Sequence, residues 1–207
     1  MKNLIAFALL VFTLVSGSQA NALKVTGPRS VRIRVLSYNI KGLPAFINPS
    51  YDVSRYSDIG KILAARKAKG TAPDIVLLQE SFDSPTVDLR RAAKYPYEFA
   101  GPSSTKIINS GLFVLSDFPI VAKSSILYGA NDCGTWDCFA SKGAQMVRVQ
   151  IPGVPYALTL VNTHTQSGKK YEVPREAQLQ DLSVFLRDVL PTNEGAIIGG
   201  DINTSPS

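Results

Sequence analysis

Asp74-Ile-Val-Leu-Leu-Gln-Glu80 sets four apolar residues in a row and closes them on an amide and a carboxylate. A continuous apolar run this short, followed by polar groups, reads as a strand buried on both faces that surfaces at its C-terminal end. The same signature returns at Ala196-Ile-Ile-Gly-Gly-Asp201. Working outward, Val31-Arg-Ile-Arg-Val-Leu-Ser-Tyr38 alternates apolar and basic residues before turning apolar, the pattern of a half-buried strand. Gly111-Leu-Phe-Val-Leu-Ser116 is a further strand, stopped by Asp117-Phe-Pro119. Ala144 to Ile151 and Tyr156 to Thr163 flank Pro-Gly-Val-Pro and predict a hairpin.

Two helices separate these strands. Ser54 to Lys69 places Ile59, Ile62, Leu63 and Arg66 at helical spacing and stops at Gly70 and Pro73. Pro174 to Leu190 places Leu182, Phe185, Leu186 and Val189 on one face, with Pro174 suited to the first turn. Strands with intervening helices predict an α/β layered sandwich.

The chain has 207 residues, 45% of them hydrophobic, enough for one globular domain. Its first residues predict a secretory signal peptide over 1–22: Lys2, an apolar run from Leu4 to Val15, then small residues around Ala20 and Ala22. That run is too short to span a bilayer of roughly 30 Å. The domain then covers 23–207, and export places it outside the cytoplasm, secreted or periplasmic. Removing 1–22 takes away one lysine and no acid, lowering the formal charge from +6 to +5. A basic surface suits a phosphate-bearing partner or an anionic membrane. In an exported protein Cys133 and Cys138 predict a local disulfide. A glycine-rich phosphate loop and a Gly-x-Ser-x-Gly elbow are both absent, which disfavours nucleotide binding and serine hydrolysis.

Five polar residues stand where apolar runs end: Asn39, Glu80, His164, Asp201 and Asn203. If the strands share a rim, these groups meet there, held by rigid elements. They suit phosphodiester hydrolysis. A hard cation such as Mg²⁺ takes oxygen ligands, which Glu80 and the Asn39 carbonyl can supply. Asp201 can accept a proton from an attacking water that Asn203 orients. His164 can donate to a non-bridging phosphoryl oxygen or protonate the leaving group.

In order along the chain, Leu36-Ser-Tyr-Asn-Ile-Lys-Gly-Leu-Pro44, Asp74 to Glu80, Ser110-Gly-Leu-Phe-Val-Leu-Ser-Asp-Phe-Pro-Ile120, Asn162-Thr-His164 and Gly200-Asp-Ile-Asn203 resemble the motifs of the endonuclease/exonuclease/phosphatase superfamily. The resemblance implies a four-layered α/β/β/α sandwich and a phosphodiesterase dependent on Mg²⁺ or another divalent cation. It also implies Glu80 as metal ligand, Asn39 beside it, and His164, Asp201 and Asn203 around the phosphate. Tyr38-Asn-Ile-Lys-Gly-Leu-Pro44, Ala140-Ser-Lys-Gly-Ala144 and Arg175-Glu-Ala-Gln178 resemble the neutral sphingomyelinase, phospholipase C-type branch. By that resemblance Lys142 contacts the substrate phosphate, and the substrate is sphingomyelin or a related phospholipid at a membrane surface. Nucleic acid is the alternative substrate, with an extracellular nuclease as the enzyme. A non-catalytic binding form of the scaffold is the alternative of another class. No stable protein partner is implied.

Members of this branch carry a further strand pair ending in Ser-Asp-His. Ser207 stands four residues past Asn203, and His164 is the only histidine in the sequence. The chain therefore reads as truncated at its C-terminus, with an exposed sheet edge expected there.

Overall fold

The computed structural model of the chain describes residues 30–43, 52–82, 86–103, 108–129 and 138–204. Nearly all of them belong to one compact unit, Ile33–Ser207. The N-terminal unit, Met1–Arg32, contributes only residues 30–32, in irregular backbone, and the predicted signal peptide lies outside the described residues.

Among the described residues eight strands and three helices follow one another as β1 (Val35–Gly42), α1 (Ser54–Ala68), β2 (Ile75–Ser81), α2 (Thr86–Ala93), β3 (Tyr97–Ala100), β4 (Phe113–Ser116), β5 (Ile120–Leu127), β6 (Gly143–Gln150), β7 (Ala157–His164), α3 (Glu172–Val189) and β8 (Ala196–Asp201). They build two four-stranded sheets, ordered β1-β2-β4-β3 and β5-β6-β7-β8. The β1–β2 and β7–β8 pairs are parallel and the others antiparallel.

Side-chain alternation sorts the core into layers. Ile75, Leu77 and Val114 of the first sheet meet Val147, Val149 and Leu160 of the second. On the opposite face of the first sheet, Val76, Leu78 and Leu115 pack under Tyr56 and Leu63 of α1 and Leu89 and Ala93 of α2. Met146 and Val161 of the second sheet pack under Leu182 and Phe185 of α3. The result is the four-layered α/β/β/α sandwich.

Several elements differ from the sequence reading. The first strand begins at Val35 and not Val31: the Arg34 carbonyl still accepts the Asp74 and Ile75 N–H groups, but its own N–H turns to the Asp74 carboxylate, and Val31 is half exposed. In α1 the buried residues are Tyr56, Gly60 and Leu63, while Ile62 is exposed. Gly60 lies against α2, where a Cβ would come within 2.4 Å of the Leu89 carbonyl oxygen. The apolar stripe of α1 is therefore Tyr56, Ile59 and Leu63, with close helix approach at Gly60 beside it. Helix α2 and strands β3 and β5 were not anticipated.

The two parallel pairs matter most for function. They bring the C-terminal ends of β1, β2, β7 and β8 to one rim. β8 is the last strand on its side of the sheet among the described residues, and Ile197 and Ile198 on it are half exposed.

Candidate active site

Register fixes the first contacts. His164 is directly opposite Asp201 in the β7–β8 pairing, and Asn39 is opposite Gln79 in β1–β2. Alternation along β2 would send Glu80 toward the helices with Val76 and Leu78. Its backbone instead takes a left-handed conformation, φ 55°. The carboxylate thereby reaches the Asn39 amide, while the next side chain, Ser81, turns to Thr86 of α2. Lys41 and Asn203 are also left-handed, each at φ 51°. Three such non-glycine residues around one rim, each costing about 1 kcal/mol or more, mark strain concentrated where geometry has been forced.

Asn39 is the hinge of the arrangement. Its Nδ2 donates to Glu80 Oε1 at 2.8 Å and to Asp201 Oδ2 at 2.9 Å. Its Oδ1 accepts the Lys41 backbone N–H at 2.9 Å. The side chain thus clamps two carboxylates from different sheets with its amide nitrogen. One lone pair of Oδ1 is taken by the Lys41 N–H, and the second stays available as a metal-binding oxygen beside the Glu80 and Asp201 carboxylates. Asp201 Oδ1 accepts the Asn203 backbone N–H at 3.1 Å. Asn203 Nδ2 is tied to the Thr165 carbonyl at 2.9 Å, which leaves its Oδ1 as the atom able to orient a water.

His164 is 1% exposed, with Nε2 3.9 Å from Glu80 Oε1 and 3.4 Å from Lys142 Nζ. Lys142, 5% exposed, is therefore held beside the imidazole and does not sit in solvent. An ammonium only donates, so a hydrogen bond here requires the lone pair on Nε2 and the proton on Nδ1. Gly143 follows Lys142 because β5 passes close by: a Cβ there would lie 2.3 Å from the Ile126 carbonyl oxygen. All six residues expected at the site meet at this rim.

Beneath the rim lies a buried polar network that the sequence reading missed. Gln79 Nε2 donates to Asn162 Oδ1 at 2.7 Å, and Asn162 Nδ2 donates to the Leu78 and Phe113 carbonyls. Ser37 Oγ accepts from Gln79 Nε2 and from the Gly200 N–H. These bonds join the two sheets directly under Glu80 and Asp201. The available signal was Asn162 and Gln79 themselves, amides inside apolar runs. Behind His164, the Tyr128 hydroxyl meets Thr163 Oγ1 at 2.5 Å. Burial, reinforced by the Asp181 charge and opposed by the Thr163 bond, pushes the phenol well above its ordinary range, so it stays neutral.

Arg175 and Gln178 hold the segment that follows His164. Arg175 Nη1 donates to the Gly168 carbonyl at 2.6 Å and the Gln166 carbonyl at 3.3 Å. Gln178 Oε1 accepts the Gln166 N–H at 2.7 Å. Helix α3 thereby fixes the loop whose Thr165 carbonyl anchors Asn203. Arg175→Lys keeps the charge, but its shorter side chain ends short of the Nη1 atom that donates to both carbonyls. We expect kcat of any reaction catalysed at this rim to fall roughly ten- to hundred-fold with the fold retained, the scale of a 1 Å misplacement. Steady-state kinetics beside thermal melts would check this, and an unchanged kcat removes Arg175 from any positioning role.

A hard divalent cation fits this donor set. Glu80 and Asp201 offer carboxylate oxygen, although among the described residues no group of three or more His, Cys, Asp or Glu side chains is placed to hold a metal ion by itself. Mg²⁺ is characteristically held by one or two carboxylates, retained waters and substrate phosphate.

A two-sheet sandwich with carboxylate, amide and imidazole groups converging at its strand ends defines a scaffold of the phosphoesterase class. The chain belongs to the Endonuclease/Exonuclease/phosphatase family, whose family model matches residues 36–207, and within it to the sphingomyelinase-like branch. It is 25% identical over 213 residues to sphingomyelinase C 2 of Leptospira interrogans, covering 90% of this chain and 33% of that protein. It is 25% identical over 230 residues to sphingomyelinase C of Bacillus cereus, covering 99% of this chain and 66% of the relative. The chain thus spans between a third and two-thirds of these relatives' lengths. A crystal structure of Staphylococcus aureus beta toxin with bound magnesium ions shares the fold, with TM-score 0.71 and 21% identity over 84% of this chain and 66% of that one.

Proposed function

We propose that the protein is an exported, Mg²⁺-dependent phosphodiesterase that hydrolyses sphingomyelin or a related phospholipid to release the phosphorylated headgroup. The observation that carries this reading is the single Asn39 nitrogen holding Glu80 and Asp201 together beside His164. One oxygen-lined rim thereby combines a candidate cation ligand, a proton acceptor and a phosphate-facing imidazole. The sphingomyelinase relatives support the lipid branch.

In this reading Glu80 is the principal ligand, and the bound cation supplies charge neutralisation at the phosphoryl group. Asp201 takes the proton of an incoming water aligned by Asn203 Oδ1. Lys142 and His164 face the phosphate from the other side, Lys142 as a fixed positive charge and His164 as donor to a phosphoryl or leaving-group oxygen once a second proton makes it an imidazolium and Nε2 turns from Lys142 to the substrate. Glu80 and Asp201 also position each other through Asn39.

Two further parts belong to the proposal. Cleavage after Ala20 or Ala22 yields the mature chain, and Cys133 pairs with Cys138. Cys133 lies outside the described residues. Intact-mass measurement of exported protein, before and after reduction, reads both features at once.

The test of function is an assay panel. Full chain, with any coding sequence that continues past codon 207, is incubated with sphingomyelin, phosphatidylcholine and plasmid DNA, with Mg²⁺ and with excess chelator. Phosphorylated headgroup released from lipid, and abolished by chelator, is expected. Cutting of DNA alone would transfer the site to nuclease chemistry. Ion binding without turnover of any substrate would make the scaffold a binding protein.

A further inference from the structure

On the helix-covered face of the first sheet, next to β2's last residue, is a cavity of about 280 Å³ that the proposed reaction does not use. Its lining includes Ser81, Thr86, Arg90, Asn109, Ser110 and Phe113. We propose that this cavity is a second binding site, for a small phosphate-type oxyanion, with Arg90 as its principal ligand.

Among the described residues the half-buried guanidinium has no carboxylate partner within ion-pair distance. Arg90 Nη1 donates to Ser81 Oγ and Thr86 Oγ1, both at 3.3 Å, and the group lies 4.0 Å from the Phe113 ring centroid. These are neutral partners. Among the described residues Arg90 forms no ion pair, and its Nε and Nη2 make no hydrogen bond, so most of its five N–H groups stay open. Burial acts to lower its affinity for the proton, yet an arginine stays charged at physiological pH. A charge taken partly out of water without a counter-ion is a standing cost that a bound anion would relieve.

The rest of the lining supplies donors. Asn109 Oδ1 accepts the Gly111 N–H, which leaves its Nδ2 protons free, and Ser110 Oγ accepts the Leu112 N–H at 3.5 Å, leaving its O–H to donate. None of the described lining residues is acidic. Stacking on Phe113 covers one guanidinium face and fixes its plane, so the open edge meets a tetrahedral oxyanion with bidentate geometry. The cavity is below the size of sites for large organic ligands, which limits the occupant to a free phosphate or the head of a phosphate monoester.

Glu98 is the opposing charge. It acts on Arg90 electrostatically from β3, two residues before the lining residue Ala100, but outside ion-pair distance. It competes with an anion for the same field, which gives the site a two-directional test.

Inorganic phosphate is titrated into the full chain by calorimetry, and flotation is run in parallel with phosphatidylcholine vesicles with and without phosphatidic acid. Phosphate binding identifies a soluble occupant, and binding only to phosphatidic acid vesicles identifies a lipid headgroup. Arg90→Gln should weaken the interaction at least ten-fold, the scale of one lost charge-assisted contact. Glu98→Gln should tighten it two- to five-fold, and Glu80→Gln should leave it in place. Ser110→Ala, which keeps the Arg90 stack intact, should weaken it a few-fold. No binding of either probe, equal binding by Arg90→Gln, or loss in Glu80→Gln with retention in Arg90→Gln would each overturn the proposal.

Discussion

Glu80→Gln should cost about 10³-fold or more in kcat/KM for the proposed phosphodiester hydrolysis while leaving the fold and melting temperature nearly unchanged. The substitution is almost isosteric, and a glutamine carbonyl still accepts the Asn39 Nδ2 proton that Glu80 Oε1 accepts at 2.8 Å. What disappears is the negative charge. A neutral amide is a weaker ligand for a hard dication, and neutralisation of the phosphoryl group in the transition state goes with it. Losing one member of a cooperating set commonly costs several orders of magnitude. The contrast with Asn39→Ala is instructive. That variant frees both carboxylates and leaves two like charges without their shared donor, so it should lower both activity and stability. Measuring kcat/KM beside circular dichroism and melting separates the two. Glu80→Gln with activity within ten-fold of the parent would remove Glu80 from the ligand role and, with it, the proposed mechanism.

The strands of the site could be read from the sequence for a specific reason. Buried parallel strands must be continuously apolar, and a polar residue ending such a run has few places to go but the rim. Asp74 to Glu80 obeys this, and Leu158 to His164 is buried although Thr159, Asn162 and Thr163 interrupt it. Ala196 to Asp201, expected as a buried strand, instead lies at the sheet edge with Ile197 and Ile198 half exposed, yet the carboxylates and imidazole that end the three runs still meet. The outer elements were harder. Helix α2 is short, and its buried residues Thr86, Leu89 and Ala93 include one polar and one small side chain, too few apolar positions to announce a period. Strand β5 alternates intermediate and exposed residues, Ile120 to Leu127, so lysine and serine dilute its apolar face. Strand β3 has four residues and exists through its pairing with β4. Asn39's role turned on a feature invisible in sequence. Which of its two groups faces the carboxylates depends on the left-handed turn at Lys41, whose N–H takes one lone pair of the carbonyl. The buried Gln79–Asn162 pair belongs to the same class, since partners 83 residues apart are fixed only by sheet-on-sheet packing.

Gly200→Ala should be the most destabilising single methyl that can be added to this rim. Gly200 has φ 136°, a region that side chains rarely occupy, and an added Cβ would lie 2.1 Å from the Thr163 carbonyl oxygen and 2.7 Å from its nitrogen. Neither atom can rotate away, because both belong to the β7 backbone that pairs with β8. Relief requires β8 to separate from β7, which moves Asp201 from its position opposite His164 and strains the Gly200 N–H bond to Ser37 Oγ. Backbone strain of about 1–3 kcal/mol plus the steric clash gives roughly 3 kcal/mol or more. For a chain of this length that is a fall of roughly 6–12 °C in melting temperature. Gly153→Ala is the control. Gly153 is also left-handed, at φ 77°, but its Cβ would meet nothing within 4 Å, so only about 1 kcal/mol of backbone strain is expected. The two variants also separate stability from chemistry. Gly153 lies in the β6–β7 turn, whereas Gly200 precedes Asp201 directly, so only Gly200→Ala should reduce kcat at temperatures where both proteins remain folded. Equal losses of stability in the two variants would mean that β8 yields freely, and the tight β7–β8 register could not then be what holds Asp201 against His164.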